Sequence, residues 1–202
     1  MSVGWFRKDI EDFILTTEIG IVGVGEDNGF EGSYAGYSLR SSSNAGKAEV
    51  TGWEFDYRQQ LTFLPGWLQG FTVAGNFTIL QTEGDFGGGA VRSDKEVAGF
   101  IPRTGNASLT YSRGKYRFSA LLNYTGNYLN TFNATPNRNI YREERTIVSL
   151  GASYQWKPSM SFFVDVTNVF NEPQATYIGY EDRPQRIIHT GQALVFGISG
   201  RF

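Results

Sequence analysis

Alternation with a period of two, sustained over about 10 residues at a time, constrains this chain more than any other feature, because only a β-strand puts successive side chains on opposite faces. From Thr146 to Trp156, Val148, Leu150, Ala152, Tyr154 and Trp156 point one way and Ser149, Gly151, Ser153 and Gln155 the other. Tyr116 to Thr125 repeats the pattern, with Tyr116, Phe118, Ala120, Leu122 and Tyr124 opposed to Arg117, Ser119, Asn123 and Thr125. In Thr51 to Phe63, Trp53, Phe55, Tyr57, Leu61 and Phe63 stand against Glu54, Asp56, Arg58, Gln60 and Thr62. Phe71 to Ile79 and a last segment from Ala193 to Phe202 behave alike. With Val3–Leu15, Gly105–Ser112 and Met160–Phe170, the pattern predicts about eight strands and no helix of note.

Strand length decides between a soluble sandwich and a membrane wall. Sandwich strands run to about 5 or 6 residues, whereas about 10 residues tilted near 45° cross the apolar band of an outer membrane. The connections sort by length as well. Short turns fall at Leu64-Pro65-Gly66-Trp67, Arg113-Gly114-Lys115 and Trp156-Lys157-Pro158-Ser159, and they alternate with long polar segments near 16–46, 84–103, 128–142 and 171–190. Outer-membrane barrels show this asymmetry. Aromatic residues are 15 % of the chain, and Trp53, Trp67, Tyr128, Tyr141, Trp156 and Phe170 sit near strand ends, where interfacial girdles belong. The expected fold is all-β: an antiparallel transmembrane β-barrel wall of about eight strands. Many inward positions are small (Ser149, Gly151, Ser153, Ser108, Thr110, Ala193, Gly197), which suits a wide lumen and an arc of a larger barrel. Glu54, Asp56 and Arg58 argue the other way, since such charges suit pairing across a narrow interior.

Several stretches, in order, resemble landmarks of one family. Phe6-Arg7-Lys8-Asp9-Ile10-Glu11-Asp12-Phe13-Ile14 is similar to an aromatic-Lys-Asp-Ile strand, and Gly52-Trp53-Glu54-Phe55-Asp56-Tyr57 followed by Leu64-Pro65-Gly66 to a G-x-E strand and its turn. Gly75-Asn76-Phe77-Thr78, Pro102-Arg103-Thr104-Gly105-Asn106 and Val166-Thr167-Asn168-Val169-Phe170-Asn171 complete the series. Together they resemble the C-terminal part of TonB-dependent outer-membrane receptors. The resemblance implies a 22-stranded barrel around an N-terminal plug, in the outer membrane of a Gram-negative bacterium. It also implies energy-coupled uptake of a scarce solute such as a siderophore or a carbohydrate. On this reading residues 1–202 are a C-terminal segment of the barrel. The opening residues, which start within a strand pattern, are then expected to follow a plug, a TonB box and about fourteen further strands. The energy-transducing TonB complex would be met only through that missing N-terminal part. The alternative is a self-contained small outer-membrane barrel with a structural or adhesive role.

Net charge is -2 with no basic cluster, so no nucleic-acid partner is expected. Cysteine is absent, which excludes disulfides and thiolate metal sites; no metal and no cofactor is implied. His189 is the single histidine and no G-x-S-x-G occurs, so no catalytic residues and no enzyme activity are expected. Gly25-Glu26-Asp27-Asn28-Gly29-Phe30-Glu31 lacks EF-hand spacing and reads as a solvated loop, and Gly87-Gly88-Gly89 as a flexible one. Two candidate sites remain. Phe196, Ile198, Gly200 and Phe202 alternate along the final strand and resemble the signal read by the barrel-assembly machinery, while also suiting simple lipid contact. Arg138, Tyr141, Arg142 and Arg145 lie near a loop rim, where they suit an anionic solute or the phosphates of outer-membrane lipid and lipopolysaccharide. Asp165 and Glu54 are expected to face inward, toward a solute path, a plug or neighbouring strands.

Overall fold

The computed structural model describes residues 1–12, 14–44, 47–85, 96–133 and 136–201. In chain order the strands are β1 (Ser2–Ile10), β2 (Ile14–Ile21), β3 (Ser38–Asn44), β4 (Lys47–Gln60), β5 (Phe71–Asp85), β6 (Arg103–Arg113) and β7 (Tyr116–Thr125), then β8 (Tyr128–Thr131), β9 (Ile140–Arg142), β10 (Arg145–Lys157), β11 (Met160–Thr167), β12 (Gln174–Ile178), β13 (Pro184–Ile188) and β14 (Ala193–Gly200). Eight of them form one antiparallel sheet in the order β1-β4-β5-β6-β7-β10-β11-β14, the eight read from the alternation. Each strand pairs with its neighbour in the chain once the long connections are set aside. Strands β1 and β14 are each paired on one side only, so among the described residues the sheet is an open arc and not a closed barrel.

Register turns each strand's alternation into a face of the whole sheet. Trp5 is opposite Trp53 and Val3 opposite Phe55; Phe55 is opposite Phe77, and Val73 opposite Leu109. Leu122 faces Val148, and Phe118 faces Ala152. Val164 lies between Ala152 and Phe196. The result is one continuous apolar face, and nothing among the described residues covers it. Trp5, Leu109, Phe118, Leu150 and Leu194 are all exposed, and Phe196 is 76 % exposed. Apolar area on this scale does not face water in a soluble protein; hydrocarbon covers it. At the short-turn end the face carries an aromatic belt. Trp67, Phe71 and Tyr111 pack with centroids 4.7 to 6.4 Å apart, and Tyr116 tilts on Tyr154 at 5.0 Å.

The opposite face is lined by small and polar groups. Asn76, Asn106 and Asn123 are register partners across β5, β6 and β7. Asn106 Nδ2 donates to Asn76 Oδ1 at 2.9 Å, and Asn123 Nδ2 donates to Asn106 Oδ1. Gly52, in the G-x-E stretch, has no room for a side chain: a Cβ there lies 2.7 Å from the Ile79 carbonyl oxygen and 2.7 Å from the Phe6 ring.

Two expectations need correction. The long connections are not merely loops. Strands β8, β9, β12 and β13 form a four-stranded sheet in the order β13-β12-β9-β8, and β2 pairs with β3. These strands are 3 to 8 residues long, mostly too short for a period to show. The seam between β9 and β12 also joins segments more than thirty residues apart. Strand ends shift too. The strand expected over Val3–Leu15 breaks at Asp12, which has φ 57°, and the one over Met160–Phe170 stops before Asn168, with φ 56°. The G-G-G stretch at 87–89 lies outside the described residues.

Candidate functional site

The long connections lie at one end of the wall, and most of the buried core sits among them, with Ala48 and Val50 of β4 the buried apolar side chains of the sheet among the described residues. Val97 and Leu129 are 1 % and 2 % exposed, Tyr177 and Ala175 are buried in the loop sheet, and Asn139 is buried just before β9. The segment after residue 95 is tied in by Val97 N–H donating to Thr82 Oγ1 at 3.1 Å and Gly99 N–H to the Leu129 carbonyl at 2.8 Å. Asn139 Oδ1 accepts from Asn133 N–H at 2.8 Å.

Asn168 controls how the last long connection leaves the wall. It adopts a left-handed conformation that Asn tolerates better than most residues. Its buried amide bonds both arms of the connection: Nδ2 donates to the carbonyls of Glu172 and Gly191, each at 3.1 Å, and Oδ1 accepts from Glu172 N–H at 2.8 Å. Arg145 adds a second tie, with Nη2 donating to the Glu172 carbonyl at 3.1 Å and to Thr190 Oγ1 at 3.3 Å.

The four rim candidates do not converge on one point. Arg138 is exposed on the turn Pro136–Arg138 before β9. Tyr141 and Arg142 are consecutive on β9 and therefore face opposite sides of the loop sheet. Tyr141 stacks on its register partner Tyr177 at 5.2 Å and 14°. Arg142 lies over the Tyr128 ring at 5.8 Å. It also donates from Nη2 (2.7 Å) and Nη1 (3.0 Å) to the Gln174 side-chain oxygen in the amide orientation that satisfies both groups. Arg145 is taken up in the tie just described. Sequence reading missed Asn168, Tyr177 and Arg186; Asn168 was in view as part of a motif, but its buried amide was not. Burial pushes the Tyr177 phenol above its ordinary value, partly offset by Asn127 Nδ2 donating to its hydroxyl at 2.7 Å.

The remaining candidates stand as follows. Phe196 and Ile198 are exposed on the apolar face of β14. Gly200 ends that strand, opposite Met160, and Phe202 lies outside the described residues. Glu54 and Asp165 are on the polar face, the latter opposite Gly151 and Val195. His189 is exposed in the connection after β13. In the 25–31 segment the Asn28 side chain is used within its own loop: Oδ1 accepts from Phe30 and Gly32 N–H, and Nδ2 donates to the carbonyls of Gly23 and Ser33.

An antiparallel meander with one lipid-facing and one polar face, its turns short at one end and long at the other, is the wall of an outer-membrane β-barrel. Residues 1–169 match the family model described as TonB dependent receptor-like, beta-barrel, and the chain belongs to that family. Among solved structures it is similar to a chain of the FpvAI–pyocin S2 complex, with TM-score 0.62 and 18 % identity over 98 % of this chain and 24 % of that one. It is likewise similar to a mutant ferric enterobactin receptor, PfeA, of Pseudomonas aeruginosa, with TM-score 0.62 and 16 % identity over 99 % and 28 %. At these identities the likeness is one of fold, and this chain spans about a quarter of the length of those structures. No curated protein matches the chain. The family is one of receptors and transporters in the outer membrane of Gram-negative bacteria, and this chain is part of such a receptor barrel.

Proposed function

We propose that the chain is the C-terminal wall segment of a transporter for a scarce, bulky solute, a siderophore or a carbohydrate, with uptake driven through a plug and TonB contact supplied by the rest of the protein. The polar face carries this reading. Its small residues and asparagine row, on a sheet open at both edges, suit a wide lumen around a separate occupant. The open edges also disfavour the reading as a small closed barrel. Within it, solute contact falls to Arg138 at the exposed tip, since Arg145 is tied to Glu172 and Thr190 and Arg142 stands with Tyr128 on the outward side of the loop sheet. The alternating residues Phe196, Ile198, Gly200 and Phe202 serve as the assembly signal. Deletion of the gene should abolish protonophore-sensitive uptake of one solute in a panel of labelled ferric siderophores and oligosaccharides; unchanged uptake of all of them would refute transport. The isolated chain, refolded in detergent, should not migrate as a compact heat-modifiable monomer. Such a monomer would favour the small barrel.

A further inference from the structure

One face of the loop sheet holds two guanidinium groups in a row. Tyr128, Arg142, Thr176 and Arg186 are successive register partners across β8, β9, β12 and β13, so all four side chains are on the same side. Arg142 and Arg186 flank Thr176 one strand away on either hand, with Cα atoms about 10 Å apart, close enough for their forks to meet above the threonine hydroxyl. No Asp or Glu occurs anywhere in these four strands. Neither arginine forms an ion pair with a carboxylate among the described residues. Arg142 is held by the Tyr128 ring and Gln174, which leaves donors free. With Gln185 and Asn130 at the margins, the row lines a polar groove.

Three contacts show which way the groove faces. Gly126 N–H donates to the Arg103 carbonyl at 2.8 Å, carrying the β6–β7 ladder one residue beyond Thr125. The alternation that sets Tyr124 on the lipid side thus continues through Gly126 to Tyr128. From the other strand, Tyr124 Oη donates to Glu144 Oε2 at 3.1 Å, which puts Glu144, and Arg142 two residues before it, on that same side. On the opposite side, Asn127 reaches the Tyr177 hydroxyl. The arginine row therefore faces away from the lumen, above the apolar band. Tyr128 stands four residues beyond Tyr124, about 13 Å along the strand or about 9 Å in height at a tilt near 45°, which is headgroup depth outside the hydrocarbon.

We propose that Arg142, Thr176 and Arg186 form a docking site for the phosphorylated saccharide headgroup of an outer-leaflet glycolipid. Planar guanidinium forks match phosphate oxygens, the four-strand row holds two arginines and no carboxylate while Glu144 on the same side is engaged by Tyr124, and its height and outward direction favour a lipid over a solute in the lumen. The inference rests on the outer-membrane placement of the chain and not on transport, so a receptor that imports none of the solutes tried still gives a result.

The test uses the full-length receptor purified in detergent, with diphosphorylated lipid A, fully dephosphorylated lipid A and inorganic phosphate as probes, read by native mass spectrometry. The wild type should retain the phosphorylated lipid and bind the dephosphorylated one at least tenfold more weakly. Arg186→Gln alters an exposed side chain without a structural bond and should lose about tenfold in affinity, as should Arg142→Gln. Heat-modifiable migration reports whether each variant is folded. Full retention by a folded Arg186→Gln receptor, or equal binding of the dephosphorylated lipid, overturns the proposal. Displacement of lipid A by equimolar inorganic phosphate overturns the lipid assignment in favour of a free-anion site.

Discussion

Replacing Asn168 separates what its backbone does from what its side chain does. The residue is 4 % exposed and left-handed, and three hydrogen bonds of 2.8 to 3.1 Å run from its amide to both arms of the 168–192 connection. Asn168→Gly keeps the backbone at ease and loses all three bonds; at about 0.5–1.5 kcal/mol each, the expected cost is about 2–4 kcal/mol. Asn168→Ala loses the same bonds and keeps the Cβ strain of the left-handed region that Gly relieves, so it should be about 1–2 kcal/mol worse than Asn168→Gly. Asn168→Asp preserves an acceptor for Glu172 N–H but turns a second carboxylate oxygen on the carbonyls of Glu172 and Gly191, so it should fare no better than Gly. The cost is local, because it falls on the connection and not on the sheet. Hydrogen exchange in β12 and β13, and protease cleavage within 168–192, should rise in the full-length receptor while β10 and β11 keep their protection. A wild-type exchange pattern in Asn168→Gly together with a damaged one in Asn168→Ala would refute the side-chain account and leave only backbone strain.

The two faces of β10 should respond oppositely to one charge. Leu150→Arg, on the lipid side, should cost about 2–4 kcal/mol, whereas Ser149→Arg on the polar side should assemble normally, as judged by heat-modifiable migration in outer membranes. Gly52→Ala forces a methyl to 2.7 Å from the Ile79 carbonyl oxygen and should cost about 1–3 kcal/mol. Because that oxygen is backbone, a second change, Phe6→Ala, should restore little of the assembled fraction. Tyr177→Phe leaves Asn127 Nδ2 without its acceptor and should lower loop-sheet stability by about 1 kcal/mol in hydrogen exchange. The raised Tyr177 pKa has a definite sign: its contribution is intact below the unfolded value of about 10 and is lost as pH rises through the higher folded value. Tyrosinate absorbance should show a late-titrating phenol that Tyr177→Phe removes; an unchanged titration would refute the burial argument.

The wall was legible in the sequence because its strands are long and two-faced: with Leu150 assigned to lipid, every second residue of β10 followed, and pairing carried the assignment across the sheet. The rim was not legible. Strand β9 is three residues, Ile140–Arg142, and no periodicity can be read from three positions. Tyr141 and Arg142 looked like neighbours in one site because they are adjacent in the chain, yet strand geometry sends them to opposite sides. Arg186 escaped notice for the converse reason: its partner Arg142 is 44 positions away, and only the β9–β12 seam brings them into one row. Asn168 was visible as a motif residue, but three bonds from one side-chain amide become evident only when the connection is folded back on it.

The seam between β9 and β12 bears on how this surface can vary. Loops at the mouth of a barrel are ordinarily independent, free to lengthen or shorten one at a time. Here Ile140, Tyr141 and Arg142 are registered with Ile178, Tyr177 and Thr176, so a single-residue insertion in either hairpin flips one strand's side chains against the other. Such an insertion would part the Tyr141–Tyr177 stack and scatter the arginine row together. Natural length changes should therefore be confined to the ends of the two hairpins, beyond the paired residues, or arrive in both hairpins as matched pairs. The two connections drift as one inherited unit, and a phage or antibody that binds across the seam meets an epitope with few routes of escape.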